Sequence, residues 1–275
     1  MLLVTQNTLA SNNEFHSEFN FDSLFHIFEI LSPTDQSAAT ITCKAWQAAG
    51  EAQPFKDIRE FCFGKAKWNK YFGDIGTEPP IPLHIQCFVS NKRKKDTHAL
   101  ILVPETVNGR PHSLNSLSKL IQVPKIGNAP MGKIHIAELI DEEVMNKSLP
   151  SHWILITNDI VTKPPRDAIR NTNDLSIFRN EQKEALANAG YFFPKALEAA
   201  TANSIYYVQM GNYSYRDVDN KDNSITKRSV TLCEEKILDI IPIAVGNIYN
   251  EQLYIDDAFD HLIGHAVTST RGVLR

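Results

Sequence analysis

What the chain has little of narrows its class first. Its four cysteines, Cys43, Cys62, Cys87 and Cys233, stand far apart. That excludes the short Cys-x-x-Cys spacing of zinc and dithiol sites, and it is too sparse for a disulfide-framed domain. They are expected to be small buried hydrophobes in a reducing compartment. No apolar run approaches the ~20 residues that a membrane-spanning helix needs. The start, MLLVTQNTLASNNEFHSEF, lacks the basic opening and apolar middle of a secretory signal. An excess of charge is missing too. The formal net charge is -4, so no basic field points to nucleic acid or to a membrane, and neither is expected as a partner.

Catalytic motifs are also lacking. No Gly-x-Ser-x-Gly elbow, phosphate-binding loop, Gly-x-Gly-x-x-Gly fingerprint or His-Glu-x-x-His pair occurs. Two looser constellations remain. Asp257, His261 and His265 would align as metal ligands on a helix, but Ile263, Gly264 and Val267 make that stretch at least as strand-like. Cys87 or Cys233 with His152 would pair a thiol with a base, yet nothing in the spacing brings them together. No catalytic residue, cofactor or metal is expected.

Hydrophobic residues make up 43% of the 275, enough for a sizeable core plus a smaller module. Residues 1–18 are polar and read as a flexible leader. From Phe21 to Leu31 a helical projection gathers Phe21, Leu24, Phe25, Ile27, Phe28 and Leu31 on one arc of roughly 160°, wider than the ~100° stripe that faces a single core. Pro33 ends that helix, Thr34 or Asp35 caps the next, and Ala-rich Ser37–Ala49 carries Ile41, Cys43 and Trp46. A third helical piece is expected from Phe55 through Phe61 and Phe63 to Trp68, Tyr71 and Phe72. The glycines and prolines of residues 73–82 then suggest a boundary, with 77–83 as a Pro-rich joint.

Beyond the joint the texture mixes helix and strand without a steady βαβ rhythm, so residues 84–275 read as an α+β domain. His84–Ser90 and His98–Pro104 are expected as a hairpin around the charged Asn91–Asp96, whose Lys92-Arg93-Lys94-Lys95 reads as a solvated tip rather than an import signal. His152–Thr157 is expected as a buried strand. Helices are expected over Ser113–Ile121, Asn180–Ala189 and Pro194–Met210, and strands over Val230–Leu238 and Ile240–Val245, where Pro242 implies an edge or a break. Tyr206, Tyr207, Tyr213 and Tyr215 are candidates for a recognition surface, with packing as the plainer reading.

Phe19 to Trp46 resembles an F-box without a gap. Ile27-Phe28, Leu31-Ser32-Pro33-x-Asp35 and Cys43-Lys44-x-Trp46 carry the match. The usual opening Leu-Pro is replaced by Phe19-Asn20, the leucines after the acidic residue by Gln36 and Ser37, and the valine before Cys43 by Thr42. The resemblance implies a helical module over residues 19–76 that docks onto a Skp-type adaptor of a cullin-RING ubiquitin ligase. Phe19, Leu24, Ile27, Phe28, Leu31, Pro33 and Trp46 would form the docking surface. A segment of that size buries too little surface to stand alone, which agrees with a second burial partner.

Nearly the whole chain is also similar to a group of proteins from chlamydia-like bacteria that live inside amoebae. Lys67–Pro82, Thr97–Gly109, Ser151–Val161 and Gly190–Thr201 carry that likeness. It implies a bacterial protein that acts in a host cell, cytoplasmic or secreted into the host cytosol, and it carries over no activity for the carboxyl-terminal domain. That this domain recruits a protein substrate is what the F-box resemblance implies. The rivals are a bacterial enzyme whose amino-terminal helices are structural, and a scaffold or inhibitor that delivers nothing.

Overall fold

The computed structural model describes residues 62–90, 97–129, 134–158, 172–211, 228–237, 241–247, 253–257, 266–268 and 273–274. The chain divides into two compact units, 1–53 and 54–275, and all described residues belong to the second. The F-box-like helices expected before residue 54 lie outside them.

The second unit mixes helices with antiparallel-rich sheets, as an α+β fold does. Its first sheet has the order β1-β5-β10, with β1 His98–Val103, β5 His152–Thr157 and β10 Val273–Leu274. β5 pairs antiparallel with both neighbours, and every residue of it but His152 is buried. A strand flanked on both sides and covered on both faces needs such a continuous apolar run. A second sheet, in the order β4-β8-β7-β6-β9, is built from β4 His135–Ile136, β6 Arg228–Ile237, β7 Ile241–Asn247, β8 Leu253–Asp257 and β9 Ala266–Thr268.

The expected boundary near residue 77 is corrected. The third helical piece is expected to run through Phe63, but Phe63 bridges to Ile101 as a one-residue strand. Its N–H donates to the Leu100 carbonyl at 2.8 Å, and its carbonyl accepts from Leu102 at 3.1 Å. Helix α1, Lys65–Tyr71, follows. Its Trp68 is fully buried and donates its indole N–H to the Leu102 carbonyl at 2.8 Å. Phe63, Trp68, Phe72 and Ile75 join the same core as β1 and β5.

The Pro-rich stretch is therefore a strap across that core, not a joint. Trp153 donates its indole N–H to the Pro79 carbonyl at 2.8 Å, and the Glu78 carboxylate accepts from the Lys65 backbone at the start of α1. Asp74 is tied to a tight hairpin whose strands are β2 Thr106–Val107 and β3 Arg110–Pro111. Asn108 and Gly109 turn that hairpin, both at positive φ (52° and 73°), the conformation that a two-residue Asn-Gly turn requires.

The hairpin expected over His84–Pro104 is corrected as well. Leu83–Ser90 is helix α2, and β1 pairs with β5 instead. Ile85 and Val89 are both fully buried at a spacing of four, a helical repeat that outweighs the loose alternation of HIQCFVS. The Pro82 carbonyl accepts the Gln86 N–H at 3.0 Å, and the Gln86 amide donates to Ile81.

Two of the expected helices, over Ser113–Ile121 and Pro194–Met210, are found close to their expected bounds. Helix α3, Leu114–Leu120, opens with Ser113, whose hydroxyl accepts from Ser116 in a reciprocal capping box. A short α4, Glu142–Asn146, lies beyond β4. Helix α5, Thr172–Asn188, begins eight residues before the expected start. Helix α6, Ala196–Met210, is buried on nearly every side and ends at Gly211 with φ 76°, a left-handed cap that glycine adopts without strain. Pro242 is not on an edge strand, since β7 is the middle strand of its sheet. It lies before Ile243, where the pairing with β8 begins, and beside an irregularity in the β6 register.

Candidate functional site

Two polar features stand out. The first gathers at the start of α6, whose open backbone N–H groups favour negative charge. Glu198, in the first turn, is 0% exposed. One carboxylate oxygen accepts the Lys195 N–H at 2.7 Å and the other faces His152 Nε2 at 2.8 Å. His152 Nδ1 meets the Pro150 carbonyl at 2.7 Å. A carbonyl only accepts, so Nδ1 carries a proton. β6 closes the other side. Glu235 accepts the Ala196 N–H at 2.9 Å, and Glu234 donates its own N–H to the Pro194 carbonyl at 2.9 Å. Burial raises the Glu235 pKa against the pull of that Ala196 bond.

Cys233 lies in the same region with no exposure. Burial first, and then the Glu235 and Glu198 carboxylates, hold its thiol well above its ordinary pKa. It donates weakly to the Thr231 carbonyl at 3.6 Å. A thiol kept protonated is a poor nucleophile, and His152 is engaged by Glu198. The Cys233–His152 pairing weighed from the sequence is therefore not an activated dyad. The Cys87 side chain lies outside the described residues.

The cluster acts chemically as a clamp on the helix start. Glu198→Ala removes two acceptors at once and is expected to lower stability by about 2 kcal/mol. Glu198→Gln, whose amide can accept from Lys195 and donate to His152, recovers most of it. Urea unfolding of the two variants checks this. Equal losses would mean that the charge, rather than the bonding geometry, sets the effect.

The second feature is an open groove of about 580 Å³ between α3 and β4. Asn115, Ser118 and Lys119 of α3 line one wall, with Gln122 just beyond the helix end. Ile134, His135 and Ile136 line the other, and Met145 of α4 adds an apolar patch. The Gln122 amide nitrogen is buried and has no hydrogen-bond partner among the described residues. Asn115 donates to Asn146 at 2.9 Å, and His135 packs on the Tyr254 ring with centroids 4.9 Å apart. Sequence reasoning missed this groove, because its walls come from segments some fifteen residues apart that share no motif.

Phe19, Leu24, Ile27, Phe28, Leu31, Pro33 and Trp46, the expected docking residues, all lie outside the described residues. So do Lys92–Lys95, His261 and His265. Asp257 belongs to β8, an extended strand, which removes the helical alignment on which the metal reading depended. Among the described residues no three His, Cys, Asp or Glu gather as a metal ion would need, and no helix is long and apolar enough to cross a membrane. Tyr207 is buried in α6 and Tyr206 is 37% exposed, while Tyr213 and Tyr215 lie outside the described residues. No family model, curated protein or solved structure matches the chain.

Proposed function

We propose that the chain is an F-box-type adaptor. Its amino-terminal unit docks onto the Skp subunit of a cullin-RING ubiquitin ligase, and its α+β unit holds the protein to be modified. The observation that carries the reading is the ordered series Ile27-Phe28, Leu31-Ser32-Pro33-x-Asp35 and Cys43-Lys44-x-Trp46. The division of the chain after Gln53 supports it, because the whole series then falls within one compact unit. Bridging needs no catalytic residue in this chain, since holding two reactants together is itself the contribution. The likeness to proteins of chlamydia-like bacteria supports action in a host cytosol after secretion. The rival enzyme reading gains nothing from Cys233, which is buried and protonated.

Capture of a purified Skp adaptor by the full chain tests the proposal. Leu31→Asp buries a charge in the docking surface and is expected to weaken capture by at least about a hundredfold. Pro33→Ala, which frees the chain between the two helices, weakens it less. Failure of the folded wild type to capture the adaptor, or equal capture by all three proteins, would overturn the reading.

A further inference from the structure

We propose that the groove between α3 and β4 binds an extended, acidic peptide segment laid along β4 as an added strand. β4 is an outermost strand, paired only with β8 among the described residues. The Ala137 N–H donates to the Ile255 carbonyl at 3.0 Å. In a parallel ladder only alternate residues turn their backbone groups to the partner strand. Ile136 therefore turns its N–H and C=O away from β8, and it is also one of the residues that line the groove. An open strand edge of this kind takes an extended peptide through main-chain hydrogen bonds, while side-chain pockets give the preference.

The lining sets that preference. Among the described residues it holds one cation, Lys119, with the imidazole of His135 and the hydroxyl of Ser118, and no carboxylate. The buried Gln122 amide donor lacks a partner among the described residues, and a buried donor left unmatched is rare enough to need a reason. A carboxylate entering beside Lys119 meets both needs. Ile134 and Met145 supply the apolar surface for the alternate side chains of an extended segment. If the adaptor reading holds, the segment belongs to the recruited protein, but the groove does not depend on that reading.

The test is fluorescence anisotropy of the full chain with a fluorescein-labelled peptide of alternating Glu and Val. Saturable binding is expected, weakened about tenfold or more by Lys119→Glu and also weakened by Gln122→Leu. Lys119 is exposed, so its reversal leaves the fold intact, which a circular dichroism melt verifies. A peptide of alternating Glu and Pro, which lacks every second backbone donor and cannot settle into a regular strand, is expected to bind more weakly. Leu31→Asp should bind the Glu-Val peptide as the wild type does while losing the Skp adaptor, which keeps the two proposals separable. No saturable binding, equal binding by Lys119→Glu, or equal binding of an alternating Lys-Val peptide would each overturn the inference.

Discussion

Deleting residues 1–76 is expected to unfold the α+β unit, whereas deleting only residues 1–53 leaves it folded. The two truncations differ by 54–76, and that stretch holds core. Phe63 extends the first sheet through two backbone hydrogen bonds to β1. Trp68 is fully buried, packed edge-on to Phe63 at 5.5 Å and against Phe72 at 5.1 Å. Losing a single buried Trp side chain costs about 3–5 kcal/mol, and the Leu102 carbonyl would also lose its indole donor. Phe63, Phe72 and Ile75 add to the loss, against a total stability of roughly 5–15 kcal/mol for a domain. The longer deletion therefore exhausts the reserve.

Thermal unfolding followed by circular dichroism distinguishes the outcomes. A cooperative transition in the longer deletion would mean that Trp68 is not part of the core. Collapse of the shorter one would mean that the amino-terminal unit is structural, and it would favour the enzyme rival. The deletion of 1–76 cannot separate adaptor from enzyme, because it removes α1 along with the F-box-like series. Only the cut at residue 53 does so.

How much was legible follows from where each signal resides. HWILIT is apolar almost throughout and sits at the centre of its sheet, so its character did not depend on a partner. The start of α3 was readable because Ser113 caps locally, and the end of α5 because Gly190 turns at φ 80°. His84–Ser90 reads two ways, because in seven residues a spacing of four and an alternation of two overlap. Burial of Ile85 and Val89 decides it, and burial depends on what packs against them. The Gly-Pro stretch after Phe72 was read as a linker from composition, although its carbonyls and carboxylate tie it to Trp153 and α1. Such ties are long-range and leave no local pattern. The groove was invisible for the same reason. The F-box-like series is the reverse case: a motif legible in order and spacing, on residues 19–46, that awaits the adaptor-capture measurement.

Acid is expected to weaken the fold through His112, the other long-range feature that sequence spacing does not reveal. This side chain is 1% exposed and lies edge-on to Trp68, with ring centroids 5.5 Å apart. Its Nε2 meets the Thr201 hydroxyl at 3.0 Å, while Nδ1 has no partner among the described residues. A proton on Nε2 donated to Thr201 leaves only a lone pair unmatched at Nδ1, which costs less than a stranded N–H. Burial pushes the imidazole pKa from 6.5 down to about 4. In the unfolded chain the same group takes up its proton near the ordinary value, so between those two pH values the unfolded state binds more protons.

The stability tied to a neutral His112 is therefore complete above pH 6.5 and is lost as pH falls from there to about 4. The loss amounts to about 3 kcal/mol. Glu235 works in the opposite direction, because its raised carboxyl pKa favours the folded state as the group protonates. Comparing the wild type with His112→Leu, which cannot titrate at that position, cancels the Glu235 contribution. Urea midpoints measured from neutral pH down to about pH 4 should fall more steeply for the wild type than for the variant. Parallel curves would mean that the imidazole is already solvated in the folded state, and that the packing of Trp68, His112 and Thr201 between α1 and α6 is looser than the geometry requires.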